Sequence, residues 1–226
     1  MSLPSNAVRV PAPVNAHSHA FHRILRGRTH EGEHGGAGTF WTWREHMYAS
    51  AHSLTPAAYQ QLATAVFAEM ACAGYSAVGE FHYLHHRNDG TPYGASGPDS
   101  EPHAMELALG RAALAAGIRL VLLDTCYLQG GLGPDGSVLE LDETQRRFSD
   151  GTAAGWLERH GRLGTALKDL DAGAGLLTLG AAIHSVRAVA PDDLEFIRHH
   201  LDREEPLHIH LSEQPAENQA CQAAYG

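Results

Sequence analysis

The chain has 226 residues, 43% of them hydrophobic and 19% charged, a composition that excludes a disordered or fibrous protein and allows a sizeable core. Sixteen Lys and Arg against 26 Asp and Glu leave a net charge of −10, which argues against nucleic acid or an anionic membrane surface as the principal partner. Cys72, Cys126 and Cys221 form neither a Cys-x-x-Cys pair nor a disulfide framework, residues 1–14 carry no basic-then-apolar leader, and no stretch approaches the roughly 18 apolar residues of a membrane span. The expectation is a reduced, cytoplasmic protein. The 17 histidines stand out, because imidazole is both a common metal ligand and the side chain that titrates nearest neutrality.

In chain order, a Pro-rich entry over Val10–His19 reads as a first strand. Thr55-Pro56 supplies an N-cap and a proline at the first helical position, and Tyr59, Leu62, Val66 and Met70 recur at helical spacing until Gly74. Tyr75–Phe81 reads as strand two, followed by a polar loop over His82–Gly97 long enough to be functional. A helix over Ser100–Ala116 ends at Gly117, and Ile118–Leu123 is a continuous apolar run expected of a strand buried on both faces. Gly130–Gly136 reads as a turn, Asp142–Leu170 as mostly helical, and Leu176–Ile183 as strand four. Pro191 opens a helix with Leu194, Ile197 and Leu201 on one face, Pro206–Leu211 is strand five, and a last helix starts over Ala216–Gly226.

Alternating strands and helices predict an α/β fold with a parallel sheet. Strand one is not followed by Gly-x-Gly-x-x-Gly, so a (β/α)8 barrel of the TIM type is preferred to an open dinucleotide-binding sheet. A full barrel takes about 250 residues and eight strands, whereas five are counted here. The expectation is therefore an incomplete barrel spanning 1–226 as one partial domain.

His17 and His19 lie at the carboxyl end of strand one, where a spacing of two puts both imidazoles on one face, at the end of a barrel where sites are built. His208 and His210 repeat the pattern at the end of strand five, with Glu213 three residues further on. Two such ends suit a zinc site, at which a hydrolase also needs a carboxylate to carry protons, the role Glu213 is placed for. Arg44 and Arg187 follow strands one and four and offer planar forks for carboxylates. His22 and Tyr83 could add hydrogen bonds at the same mouth, while Trp41 and Trp43 read as packing. His85, His86, His199 and His200 are adjacent pairs, poorly spaced to share a metal, and His30 and His34 fall in a Gly-rich loop.

Together, Asn15-Ala16-His17-Ser18-His19-Ala20-Phe21, Phe40-Trp41-Thr42-Trp43-Arg44-Glu45, Gly79-Glu80-Phe81-His82-Tyr83-Leu84-His85-His86, His184-Ser185-Val186-Arg187 and His208-Ile209-His210-Leu211-Ser212-Glu213-Gln214 resemble the formimidoylglutamate deiminases of the amidohydrolase superfamily. The resemblance spans nearly the whole chain. It implies a zinc enzyme of histidine breakdown, one Zn2+ per site, converting the dianion N-formimino-L-glutamate and water to N-formyl-L-glutamate and ammonia. By motif it implies metal ligation by His17, His19 and His210, proton transfer by Glu213, and substrate contacts from Arg44, Tyr83, His184, Arg187 and His22, the last at a position where some members carry glutamine. It further implies a homodimer for the complete enzyme. The flanking β-sandwich, strands 6 to 8 and two further site residues of such enzymes are not found in these 226 residues, so weak zinc binding and little turnover by this chain alone are expected. Two other readings stand beside this one: a superfamily deaminase acting on a purine or guanidino compound, and a non-catalytic truncated metal-binding or interaction module.

Overall fold

The first strand, β1, covers only Val14–Ser18, because Pro11 and Pro13 cannot donate to a ladder. The computed structural model describes residues 10–29, 39–94 and 100–226; His30 and His34 lie outside these. A 3-10 helix over Ala20–Leu25 leads towards α1 (Phe40–Ser53), an element that the sequence periodicity does not announce. Thr39 caps α1 in a reciprocal box with Thr42. Thr55 caps α2 (Pro56–Cys72) by accepting from the Ala58 amide at 3.3 Å, with Pro56 opening the first turn as expected. Next come β2 (Ala77–His82), α3 (Ala104–Ala116) and β3 (Arg119–Cys126), which runs further than the apolar stretch suggested. The stretch expected to be a turn over Gly130–Gly136 also supplies the first strand of a hairpin, β4 (Gly131–Leu132), which turns after Leu132 into β5 (Val138–Leu139). The stretch expected to be mostly helical divides into a 3-10 turn over Gln145–Phe148 and α4 (Ala153–Asp171), followed by β6 (Leu177–Ser185), α5 (Pro191–His200), β7 (Leu207–His210) and α6 (Pro215–Tyr225).

The main sheet has the order β1-β2-β3-β6-β7, every neighbouring pair parallel, which is the succession of the first five strands of a (β/α)8 barrel. Four strand intervals of about 4.8 Å would put the outer strands of a flat sheet some 19 Å apart. Yet His17 on β1 and His210 on β7 bring their Nε2 atoms to 3.2 Å, so the sheet is curled into a half-barrel with its site on the concave face.

Alternation along β2 decides what faces where. Phe81 points into the concavity against His17 and His210, while Glu80 and His82 face the outer elements, His82 stacking on Tyr59 of α2. Tyr59 and Phe67 of α2, Met105 and Leu109 of α3, and Leu120 and Leu122 of β3 are fully buried and form the core between sheet and helices. Trp156, Ile183 and Ile197 anchor a second cluster under α4 and α5, with Leu194 and Leu201 packed against it as their spacing predicted.

The ladder slips at two places, and both lie at the site. Three residues of β1 oppose two of β2 between Asn15 and Ser18, and two residues of β6 oppose one of β7 at His184. Such bulges re-aim side chains at strand ends. Gly79 makes the first one possible, since a Cβ there would lie 2.7 Å from the Ala16 carbonyl oxygen.

Candidate metal and substrate site

The Nε2 atoms of His17, His19 and His210 form a near-equilateral triangle with edges of 3.1, 3.2 and 3.2 Å. Nitrogens about 2.05 Å from a tetrahedral zinc would lie about 3.3 Å apart, so the donor set fits that ion in spacing and in chemistry. Three lone pairs converging on one point cannot satisfy one another by hydrogen bonding alone. The far side of the cluster agrees: His19 Nδ1 lies 2.9 Å from the Phe81 carbonyl oxygen, to which it donates, leaving Nε2 as the bare nitrogen. Burial lowers the pKa of all three rings, His19 well below the ordinary histidine range, so each is neutral at pH 7 as a ligand must be. His208, the other member of the expected pair, is not among the gathered ligand atoms.

Around this triangle lies a cavity of about 310 Å³ that takes in every other residue singled out for the site: His22, Arg44, Tyr83, His184, Arg187 and Glu213. His22 follows β1 on the 3-10 helix, lies beside His19 with ring centroids 4.5 Å apart, and meets the Tyr83 hydroxyl at 3.1 Å; burial takes its pKa down to about 3. Tyr83, just past β2, is 3% exposed, and burial pushes its phenol well above the ordinary range, so it keeps its proton. His184, at the β6 bulge, packs its ring 4.5 Å from Tyr127 and 5.2 Å from Tyr83, and burial holds it neutral. Trp43 packs edge-on against His22 at 5.3 Å, as a packing residue should, while the Trp41 side chain lies outside the described positions.

The two arginines sit differently. Arg44 on α1 donates from Nε and Nη2 to the Tyr48 hydroxyl, one turn along the same helix, at 3.1 and 2.7 Å. Arg187 directs Nη1 to Glu213 at 2.7 Å and to the buried Glu217 of α6, while its Nε and Nη2 have no partner among the described residues. One nitrogen of its fork thus meets both Glu213 and Glu217. Ser212, at φ 59°, holds a left-handed conformation costly for a residue with a side chain, at the corner that turns the chain from β7 towards Glu213.

The loop after β2 departs from expectation. His82 to His86 are all buried, and His82, His85 and Glu106 bring a second set of possible ligand atoms within 4.8 Å of one another. The cluster already carries its own counter-charge. Arg159 of α4 lies 3.2 Å from Glu106, 2.9 Å from Asp124 and 2.9 Å from Asp150. His85 sits between Glu106 and the Thr125 carbonyl, each at 2.8 Å, and His160 bridges Asp124 at 2.9 Å and Glu205 at 2.7 Å. These pairs tie α3 and α4 to the outer face of β2 and β3, which makes the cluster an ion network between helices and sheet. Local spacing gave no sign of it, because its acids lie on α3, on β3 and on the segments before α4 and β7.

The amidohydrolase family profile matches residues 8–226. A formimidoylglutamate deiminase from Pseudomonas aeruginosa is 39% identical over 217 residues, 96% of this chain and 44% of that protein. Among solved structures, an amidohydrolase from Brucella melitensis superposes with a TM-score of 0.79 at 38% identity, covering 95% of this chain and 44% of its own. At 19% identity and a TM-score of 0.63, an adenosine deaminase from Xanthomonas campestris with bound zinc shares the fold over 96% of this chain and 39% of its own. The chain thus spans less than half the length of the relatives it matches. No helix among the described residues is long and apolar enough to cross a membrane. With parallel strands carrying a histidine triangle at their carboxyl ends and a family profile that runs almost from end to end, the chain belongs to the amidohydrolase family.

Proposed function

We propose that this site hydrolyses N-formimino-L-glutamate to N-formyl-L-glutamate and ammonia with one zinc ion held by His17, His19 and His210. The observation that carries the reading is the opening of one cavity onto the three Nε2 atoms, Glu213 and two arginines. The likeness to the Pseudomonas deiminase supports it. Zinc, when bound, supplies a Lewis acid that lowers the pKa of a coordinated water towards about 7. Glu213 would act as the proton shuttle: its carboxylate would accept a proton as a water oxygen adds to the formimino carbon and pass it to the terminal nitrogen, and the remaining hydroxyl proton would leave as the C–N bond breaks, giving the formyl group and ammonia. Arg187 keeps the Glu213 carboxylate in place through Nη1. Tyr83, His22 and His184, all neutral, offer hydrogen bonds around the amidine without adding charge near it. Arg44 and the open edge of Arg187 receive the two carboxylates of the substrate.

We read residues 1–226 as part of one barrel domain and place the protein in the cytoplasm, where its three free thiols remain reduced. The test is ammonia release by the zinc-loaded protein in the length its own cell makes. N-formimino-L-glutamate should be turned over, and Arg44→Met and Arg187→Met should each raise KM by about 10- to 100-fold, the worth of a charged hydrogen bond. Unchanged KM in both variants would redirect the assignment towards a neutral substrate.

A further inference from the structure

Gln145 is 1% exposed and its orientation is fixed: Oε1 accepts from the Asp142 amide at 2.9 Å, while Asp142 Oδ1 accepts from the Gln145 amide at 2.8 Å. The side-chain NH2 must therefore point the other way. There it lies 3.1 Å from the Tyr48 hydroxyl, 3.0 Å from the Tyr127 hydroxyl and 3.1 Å from the Gly130 carbonyl oxygen. The Tyr48 oxygen also receives both N–H groups of Arg44. The NH2 shares its two protons among these three oxygens and accepts from none, so no partner of the two phenol oxygens among the described residues is an acceptor. A hydroxyl surrounded by donors has only its own proton left to give, and it must find its acceptor elsewhere. Both rings line the cavity that contains the histidine triangle.

We propose that Tyr48 and Tyr127, turned by Gln145, present two O–H donors beside Arg44 and together bind one carboxylate of the substrate. The inference rests on the deiminase reading and deepens it, adding two binding residues and one positioning residue that the sequence motifs do not include. A carboxylate is the ligand this donor set suits, since it offers about four acceptor sites to two phenols and a guanidinium. Burial holds the Tyr127 phenol above its ordinary pKa, which keeps that proton available.

The experiment measures binding of N-formyl-L-glutamate, and of its two analogues each lacking one carboxylate, to the same zinc-loaded protein by titration calorimetry, with steady-state kinetics in parallel. Tyr48→Phe and Tyr127→Phe should each weaken dicarboxylate binding by about 10- to 100-fold and raise KM more than they lower kcat. The loss should vanish for one analogue and persist for the other. Gln145→Leu should weaken binding at least as much as either, since both phenols lose their alignment. Tyr48→Phe should still weaken binding in an Arg44→Met background; no further loss there would mean that Tyr48 acts only by holding Arg44, and would overturn the proposal. Wild-type protein that binds N-formyl-L-glutamate while Y48F and Y127F bind it within twofold would overturn this inference alone. Wild-type protein that neither releases ammonia nor binds the dicarboxylate would overturn the deiminase reading and this inference with it.

Discussion

His19 and His210 are 191 residues apart in the chain, and their Nε2 atoms are 3.2 Å apart in the structure. Neither side chain is long enough to achieve this across a flat five-stranded sheet, so the contact is a direct consequence of barrel curvature. Metal binding at the proposed triangle would therefore depend on folding, and metal should in turn support the fold.

Zinc should bind at one equivalent per chain and raise the thermal midpoint, because a ligand that binds only the folded state stabilises it by mass action. His210→Ala should abolish most of that rise while leaving the metal-free midpoint nearly unchanged. Calorimetry with competing chelators gives the stoichiometry, and scanning calorimetry the shift; an equal shift in the variant would remove His210 from the ligand set.

Glu213→Gln keeps the shape of the side chain but cannot move a proton. Loss of a general acid-base group should lower kcat by about 100- to 10,000-fold, with KM changed only severalfold, in the ammonia assay. A kcat within tenfold of wild type would leave Glu213 as no more than an anchor for Arg187, to which it is bonded at 2.7 Å.

His160 gives the stability a recognisable pH signature. Burial opposes its charged form, but the bonds to Asp124 and Glu205 outweigh that cost and raise its pKa from 6.5 to about 9. The charged ring binds its proton more tightly in the folded state, so its stabilising contribution is complete below about pH 6.5 and disappears as the pH rises through about 9. The difference in unfolding free energy between wild type and His160→Gln should shrink by about 3 kcal/mol from about pH 6 to about pH 10, as followed by urea denaturation. A difference that stays constant would mean a ring that is neutral throughout.

Much of this architecture was legible from local pattern. Thr55-Pro56 and Gly117 mark helix ends through backbone geometry that any neighbouring structure would respect, and both do so here. The main strands fall where apolar runs placed them, within a few residues at each end. The α1 helix escaped because Phe40–Ser53 mixes aromatic, polar and charged residues without a clear apolar stripe, and it is held by its Thr39 cap and by contacts remote in sequence. The loop over His82–Gly97 looked polar, yet its first five residues are buried, since Glu106, Asp124, Arg159 and the Arg147 backbone supply partners that no local window contains.

The sequence by itself determined the chemistry available: histidines two apart at two strand ends, a glutamate three residues past one of them, and arginines that follow the first and fourth strands. Short-range spacing settles such things because strand alternation places side chains without reference to the rest of the chain. Strand alternation left His208 and His210 equivalent and only the family motif preferred His210; tertiary structure brings His17 and His19 to His210, sets Arg187 against Glu213 and Glu217, and turns Gln145 towards Tyr48 across 97 residues. The reason is that these contacts depend on sheet curvature and on the two bulges beside the site, properties of the whole ladder that no single strand encodes.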